Sequence, residues 1–248
     1  MSPTARPVLS GVGVGPGDPE LLTIKALRII AEADRLAYPA NAEGHSLALS
    51  IVQPHLAGLG PKAGADIVLP MRFLPGGGPE HPAYDTGAAE IRRALEAGQS
   101  VAFLCEGDPL FYGSFIQILD RLQASGDGPL PPYEVAVVPG VNAMAACAAL
   151  VPHPLVTWEE SLSVIPATLP EAALRARLDG VDAAVIMKLG RHLPKVAALL
   201  RDAGLADGAM VVVRAGLEGQ AVLSLPEALE VGVPYFSLLM ARRSAVRS

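Results

Sequence analysis

Val8 to Lys25 reads VLSGVGVGPGDPELLTIK. A short apolar run leads into four glycines spaced two apart, Gly11, Gly13, Gly15 and Gly17, and then into Asp18-Pro19-Glu20 and an amphipathic segment. The pattern predicts a strand, a tight loop and a helix start. Asp18 suits the capping of free N–H groups, Pro19 the first helical position, and Glu20 the positive end of the helix dipole. Leu21, Leu22, Ile24, Leu27 and Ile30 then share a broad apolar face, as a helix packed on a sheet requires. The glycines carry no Cβ and let the backbone approach something closely.

That something is not a phosphate. A dinucleotide fingerprint, G-x-G-x-x-G, needs a third glycine at position 16 or 18, where this chain has Pro16 and Asp18, and a carboxylate there would repel a pyrophosphate. No Gly-Lys-Ser/Thr follows to make a P-loop. A turn with only a packing role is the other reading the loop allows.

Working outward, a strand is expected over Asp34–Tyr38, a helix over Ser46–Gln53 ended by Pro54, and a short strand over Ile67–Leu69. Pro75-Gly76-Gly77-Gly78-Pro79 predicts a mobile loop over a cleft or at its edge. Ala83–Ala97 has helical periodicity and stops at Gly98. Val101–Cys105, VAFLC, is apolar throughout, as in a strand covered on both faces, and runs into Glu106-Gly107-Asp108-Pro109. A helix carrying Phe115, Ile118, Leu119 and Leu122 follows, so the strand, Gly-Asp-Pro loop and helix of the opening recur. Two such loops at the ends of parallel strands project from one sheet edge, where open α/β sheets bind ligands.

Ser125–Pro132 predicts a linker and Val135–Val138 a buried strand, followed by Pro139-Gly140 and an Ala-rich helix over Asn142–Leu150. Later elements are expected as a strand over Glu160–Pro166, a helix over Pro170–Leu178, a strand over Ala183–Met187, a helix over Pro194–Ala203, and strands over Val211–Val213 and Phe236–Met240. The fold class is α/β, with a doubly wound domain over residues 1–140 and a smaller mixed α/β domain over 141–248.

Composition bounds the partners. At 248 residues the chain can bury a sizeable core, and no apolar run reaches the ~18 residues of a membrane span. Met1–Pro7 has no apolar signal region, so cytoplasmic localisation and no membrane are expected. A net charge of −6 with scattered basic residues argues against nucleic acid. Cys105 and Cys147 sit in no metal or disulfide pattern, and the histidines share no ligand spacing, so no protein-bound metal is expected.

GVGVGPGDPELLTIKA, CEGDPLFYGSF, VVPGVNA and the later Met187-Lys188 resemble, in order and spacing, the tetrapyrrole methylases of cobalamin and sirohaem synthesis. CEGDPLFYGSF, with Ser46, Ala48 and Ile51 in a Ser-x-Ala-x-x-Ile pattern, most resembles the branch acting at carbon 20 of precorrin-2, or of its cobalt form in the anaerobic route. The resemblance implies two α/β domains of the class III S-adenosylmethionine (AdoMet)-dependent type with the active site in the cleft between them, a homodimer, and a tetrapyrrole substrate. It implies AdoMet contacts at Pro16, Glu106, Gly107, Asp108, Phe111, Asn142, Ala143, Met187 and Ala215, with S-adenosylhomocysteine (AdoHcy) as product. A sulfonium with an amino-acid tail suits a carboxylate, backbone polar groups and an apolar adenine slot.

Two departures separate the chain from the uroporphyrinogen-III methylases. Their Asp after the second-strand Tyr, a proposed proton acceptor there, is Pro39 here, and their GGDPFxFGRG loop becomes EGDPLFYGS. Asp18, Asp108 and Tyr112 are the catalytic candidates, as groups that orient the substrate or accept a proton. Helix capping by either aspartate and packing by Tyr112 are the competing readings, and core filling is the competing reading for Met187. Arg72, Lys188, Arg191 and His192 are candidates for meeting substrate carboxylates, with solvated surface as their alternative. A non-catalytic AdoMet- or tetrapyrrole-binding protein is the rival from another class.

Overall fold

The computed structural model describes residues 6–58, 62, 64–71, 82–124 and 133–243. Arg72, the Pro75–Pro79 loop and the Ser125–Pro132 linker lie outside them. The chain forms two compact units, Met1–Asn142 and Ala143–Ser248.

The first unit is built on β1 (Val8–Gly13), β2 (Arg35–Ala40), β3 (Ile67–Pro70), β4 (Val101–Cys105) and β5 (Glu134–Val138), in the order β3-β2-β4-β1-β5. Every pairing between them is parallel, with Gly13 level with Cys105 and Val12 with Val138. Successive side chains alternate between faces. Val12, Ala102, Leu104 and Tyr38 pack under α1 (Ile24–Glu32) and α2 (Leu47–Leu56). Leu9, Val101, Phe103 and Cys105 pack under α3 (Ala83–Glu96) and α4 (Phe115–Ala124). The VAFLC run is thus apolar because helices cover both its faces.

Several sequence expectations are corrected here. Pro19–Leu21 is a separate 3₁₀ turn capped by Asp18, and α1 begins only at Ile24, where the Thr23 hydroxyl accepts from Ala26 N at 3.0 Å. Ile24 is therefore 87% exposed rather than on the apolar face, which Ala26 and Ile30 supply. α2 runs through Pro54 to Leu56, because a proline in the last turn forfeits a single backbone bond. Ser46 caps α2, with Ala48 and Ile51 buried, so the Ser-x-Ala-x-x-Ile pattern builds the helix start and the core. β2 continues to Ala40 past Pro39, paired there with β3 after its β4 pairing ends at Ala37–Phe103. β5 is an edge strand, not a buried one, and leaves Val135 49% exposed.

The second unit has β6 (Leu162–Pro166), β7 (Ala183–Met187), β8 (Met210–Val213), β9 (Ala221–Ser224) and β10 (Ser237–Arg242), ordered β6-β7-β10-β8-β9. β6 and β7 are parallel and the remaining pairs antiparallel. α6 (Glu171–Leu178), α7 (Leu193–Asp202) and α8 (Leu225–Val231) pack on one face. α5 (Ala143–Leu150) contributes Cys147 to a smaller cluster with Val185, Val212, Leu238 and Met240 on the other. β9 and α8 escaped the sequence reading although Ser224 and Glu227 form a full capping box at the start of α8. Among the described residues no helix is long and apolar enough to cross a membrane.

Candidate functional site

β1 and β4 are neighbours in the sheet, yet α1 follows β1 on one face and α4 follows β4 on the other. Their C-terminal ends flank a topological switch point, where diverging connections open a crevice for a ligand. The two glycine loops meet there. Gly107 N donates to Gly15 O at 2.8 Å, Gly15 N to Gly107 O at 3.4 Å, and Val14 N to Cys105 O at 2.9 Å. Both Gly15 (φ 83°) and Gly107 (φ 68°) occupy the left-handed region that side chains disfavour.

The β5 loop closes on the same point. A Cβ on Gly13 would lie 2.5 Å from Gly140 N and 2.6 Å from Gly107 O, and one on Gly140 would collide with Gly107 O. Three backbones are therefore in mutual contact at Gly13, Gly107 and Gly140. Gly11 serves a different end, since the Phe115 ring lies where its Cβ would be, 2.5 Å from Cε1. Its closeness is to the core, not to a ligand.

The side chains of this edge divide by what they already hold. Asp18 Oδ1 accepts from Glu20 N at 2.9 Å, which is the capping role. Asp108 Oδ1 accepts from Leu110 N at 2.9 Å and its Oδ2 from Gly140 N at 3.1 Å, so this carboxylate ties the β4 loop to the β5 loop. Tyr112 is half-exposed with φ 57° and meets Phe111 edge to face, ring centroids 5.1 Å apart. Pro16 is half-buried beside Gly15. Glu106 is exposed, and the protein packed around the base of its side chain still raises its carboxyl above the ordinary carboxylate value by desolvation. Asn142, half-buried, ends the first unit.

In the second unit Ala143, Met187 and Ala215 pack against one apolar cluster, around Cys147, Val185, Val212, Leu238 and Met240. The structure thus gathers three residues that lie far apart in sequence. Lys188 and Arg214, directly after β7 and β8, both hold left-handed backbone (φ 57° and 49°), which costs energy and often marks functional positions. Sequence reasoning missed Arg214, for which no local signal exists. Arg191 is exposed, and the half-buried His192 has its pKa lowered by desolvation and then by Lys195 and Arg191. That keeps His192 neutral more readily than an ordinary imidazole. Burial pushes both cysteine thiols up to about 12, which makes them inert filler.

Tyr38 and Asp66 form a second feature that the sequence did not signal. The Tyr38 hydroxyl donates to Asp66 Oδ2 at 2.8 Å, and burial followed by this bond raises the phenol to about 12. It stays a donor and ties β2 to the start of β3. Among the described residues no group of three or more His, Cys, Asp or Glu could hold a metal ion.

These features fit AdoMet better than a nucleotide phosphate. The first unit offers close-packed backbone, a carboxylate at Glu106 and an aromatic ring at Phe111. A family model described as tetrapyrrole (corrin/porphyrin) methylases matches residues 8–229. The chain is 42% identical over 243 residues to the cobalamin biosynthesis protein CobIJ of Mycobacterium tuberculosis (strain ATCC 25618 / H37Rv), covering 96% of this chain but 46% of that protein. It therefore spans under half the length of that relative. It is 39% identical to a precorrin-2 C(20)-methyltransferase of Sinorhizobium sp, covering 94% of each chain. To the cobalt-precorrin-2 C(20)-methyltransferase of Salmonella typhimurium (strain LT2) it is 33% identical, covering 95% of this chain and 96% of that one. Among solved structures, the methyltransferase CobJ superposes with a TM-score of 0.70 at 20% identity, covering 98% of this chain and 97% of that one. A Thermus thermophilus uroporphyrin-III C-methyltransferase complexed with S-adenosylhomocysteine gives 0.65 at 22%, covering 95% and 97%.

Proposed function

The chain belongs to the tetrapyrrole (corrin/porphyrin) methylases, and on that premise we propose that it transfers the methyl group of AdoMet to carbon 20 of precorrin-2, giving precorrin-3A, in cobalamin biosynthesis. The observation that carries this reading is the end-to-end match to the Sinorhizobium precorrin-2 C(20)-methyltransferase, 94% of both chains. The EGDPLFYGS loop, with Glu106 at its head, supports the same substrate.

AdoMet, when bound, supplies an activated methyl group. In the first unit Gly107 and its neighbours would hold it by backbone, with Pro16, Phe111 and Asn142 about it. In the second, Ala143, Met187 and Ala215 would receive the adenine, an apolar surface suiting an uncharged ring. Catalysis then rests largely on orientation and on exclusion of water around a carbon that is already electron-rich. Asp108, which fixes the β5 loop to the β4 loop, would position this frame. Asp18 would hold the turn at Pro19–Leu21, and Tyr112 would stand beside Phe111 at the open side of the loop. Lys188, Arg191 and His192, around the β7–α7 turn, are the described groups offered to the substrate's carboxylates. The working form is a cytoplasmic homodimer.

The match to the Salmonella protein makes the cobalt form of the substrate the second reading. Incubation with methyl-labelled AdoMet and either metal-free precorrin-2 or its cobalt complex, with mass spectrometry for the methyl count and NMR for its position, tests both. Label at carbon 20 of metal-free precorrin-2 is expected. Label only with the cobalt form replaces the first reading by the second, and AdoMet binding without transfer to either makes the chain a binding protein.

A further inference from the structure

Methylation of a ring carbon that carries hydrogen leaves a proton to be removed, and Asp18, Glu106, Asp108 and Tyr112 stand in the loops that follow β1 and β4. The two aspartates are already committed. The Asp18 carboxylate accepts from Glu20 N, and Asp108 spends one oxygen on Leu110 N and the other on Gly140 N. Protonating either would weaken bonds that hold the loops in place. Tyr112 packs edge to face on Phe111, and a tyrosine offers a single oxygen where a carboxylate offers two.

Glu106 differs from all three. It follows β4 directly, at the switch point, and is held between two fixed positions: Cys105, whose carbonyl accepts from Val14 N, and Gly107, bonded to Gly15 in both directions. No hydrogen bond or ion pair engages its carboxyl among the described residues. A rigid main chain thus presents a carboxylate with both oxygens uncommitted.

We propose that Glu106 is the base that takes the proton from carbon 20 of the methylated macrocycle. This rests on the reading of the chain as a C20-methyltransferase. The C20–H bond breaks, its electron pair returns to the conjugated ring and discharges the positive charge that methylation delivered, and the proton passes to Glu106 Oε and on to water. No oxidant or further co-reactant is required. Desolvation of the Glu106 carboxyl moves it towards the working pH, which makes it a stronger base than an ordinary carboxylate.

The test pairs Glu106→Gln with Glu106→Asp and reads binding apart from turnover. Calorimetry with S-adenosylhomocysteine, which lacks the sulfonium charge, is expected to give both variants an affinity within about 3-fold of the wild type, because among the described residues neither Glu106 oxygen is tied into the loop frame. Turnover is expected to fall ~10²–10⁴-fold in Glu106→Gln, the usual worth of a general base, and to recover in part in Glu106→Asp. With C20-deuterated precorrin-2, Glu106→Asp should show a larger primary isotope effect than the wild type, because proton removal has become limiting. Loss of S-adenosylhomocysteine affinity in proportion to turnover overturns the proposal in favour of a cofactor anchor. Undiminished turnover in Glu106→Gln overturns it outright. A wild-type protein that methylates neither form of precorrin-2 overturns the functional reading and this proposal with it, an outcome distinct from an active wild type with an active variant.

Discussion

Gly13→Ala isolates the three-backbone contact at the site. Gly13 ends β1 without a left-handed φ, so alanine meets no conformational penalty there and any loss comes from contact. Its Cβ would stand 2.5 Å from Gly140 N, 2.6 Å from Gly140 Cα and 2.6 Å from Gly107 O, whereas ordinary contact begins at 3.4 Å. The loops must part by about 0.9 Å, the difference between 3.4 and 2.5 Å. All three neighbours are main chain and none can rotate away. Overpacking costs ~1–3 kcal/mol, and a clash against backbone belongs at the top of that range, about 3 kcal/mol. Urea denaturation measures it, while calorimetry with S-adenosylhomocysteine reads the site; a shift near 1 Å is worth ~10²-fold in catalysis by misplacement alone. Gly11→Ala is the control, because its obstacle is the Phe115 ring, and adding Phe115→Leu should recover part of the loss. No side-chain change should rescue Gly13→Ala. A cost below ~1 kcal/mol with unaltered affinity would refute the idea that these loops touch at their limit.

Asp108→Asn leaves one acceptor oxygen for two backbone donors, Leu110 N and Gly140 N, and should lower stability by ~1–2 kcal/mol in chemical denaturation; no change would show that the β4 and β5 loops are held by other contacts. Glu160 has its pKa lowered, first by the Arg242 hydrogen bond at 2.6 Å and then by Thr157 N. A depressed carboxyl contributes stability above its unfolded pKa and loses it as pH falls through the folded one, so Arg242→Met should flatten the acid limb of the melting profile, and an unaltered limb would contradict this. Glu106 has the opposite sign: its raised carboxyl disfavours the charged fold, so stability falls as pH rises from the unfolded pKa through the folded one. Solvent reaches this exposed side chain and damps the effect, so Glu106→Gln should melt at or slightly above the wild type at neutral pH, with any gain vanishing in acid, and a lower melting temperature at pH 7 would count against it.

How far the sequence reached depended on whether the deciding contact was local. VAFLC in β4 and AAVIM in β7 state their burial in their own residues, and both strands fall where the composition puts them. The start of α1 misled because two caps stand in tandem: Asp18 serves a 3₁₀ turn, and Thr23 begins the helix. β5 is as apolar as a central strand, and only the sheet order makes it an edge. β9 and α8 were legible, since Ser224 and Glu227 have capping-box spacing, but a short alternating strand gave that box no context.

The glycines show the same limit at the site itself. Gly11 and Gly13 lie on one face of β1 and look equivalent in sequence, yet Phe115 covers the first, while two distant loops press on the second. Composition announces closeness, and only the fold says to what. The paired bonds of Gly15 with Gly107 and the Asp108 bond to Gly140 join three loops into one frame. The Glu106 side chain stands exposed next to that frame, and among the described residues no hydrogen bond or ion pair engages its carboxyl. The frame lets Glu106 remain unpaired: the main chain on either side is already fixed, so the side chain need not spend its oxygens on structure. Asp18 and Asp108 carry the capping and bridging that the loops require, and that leaves the Glu106 carboxylate available for the proposed proton transfer.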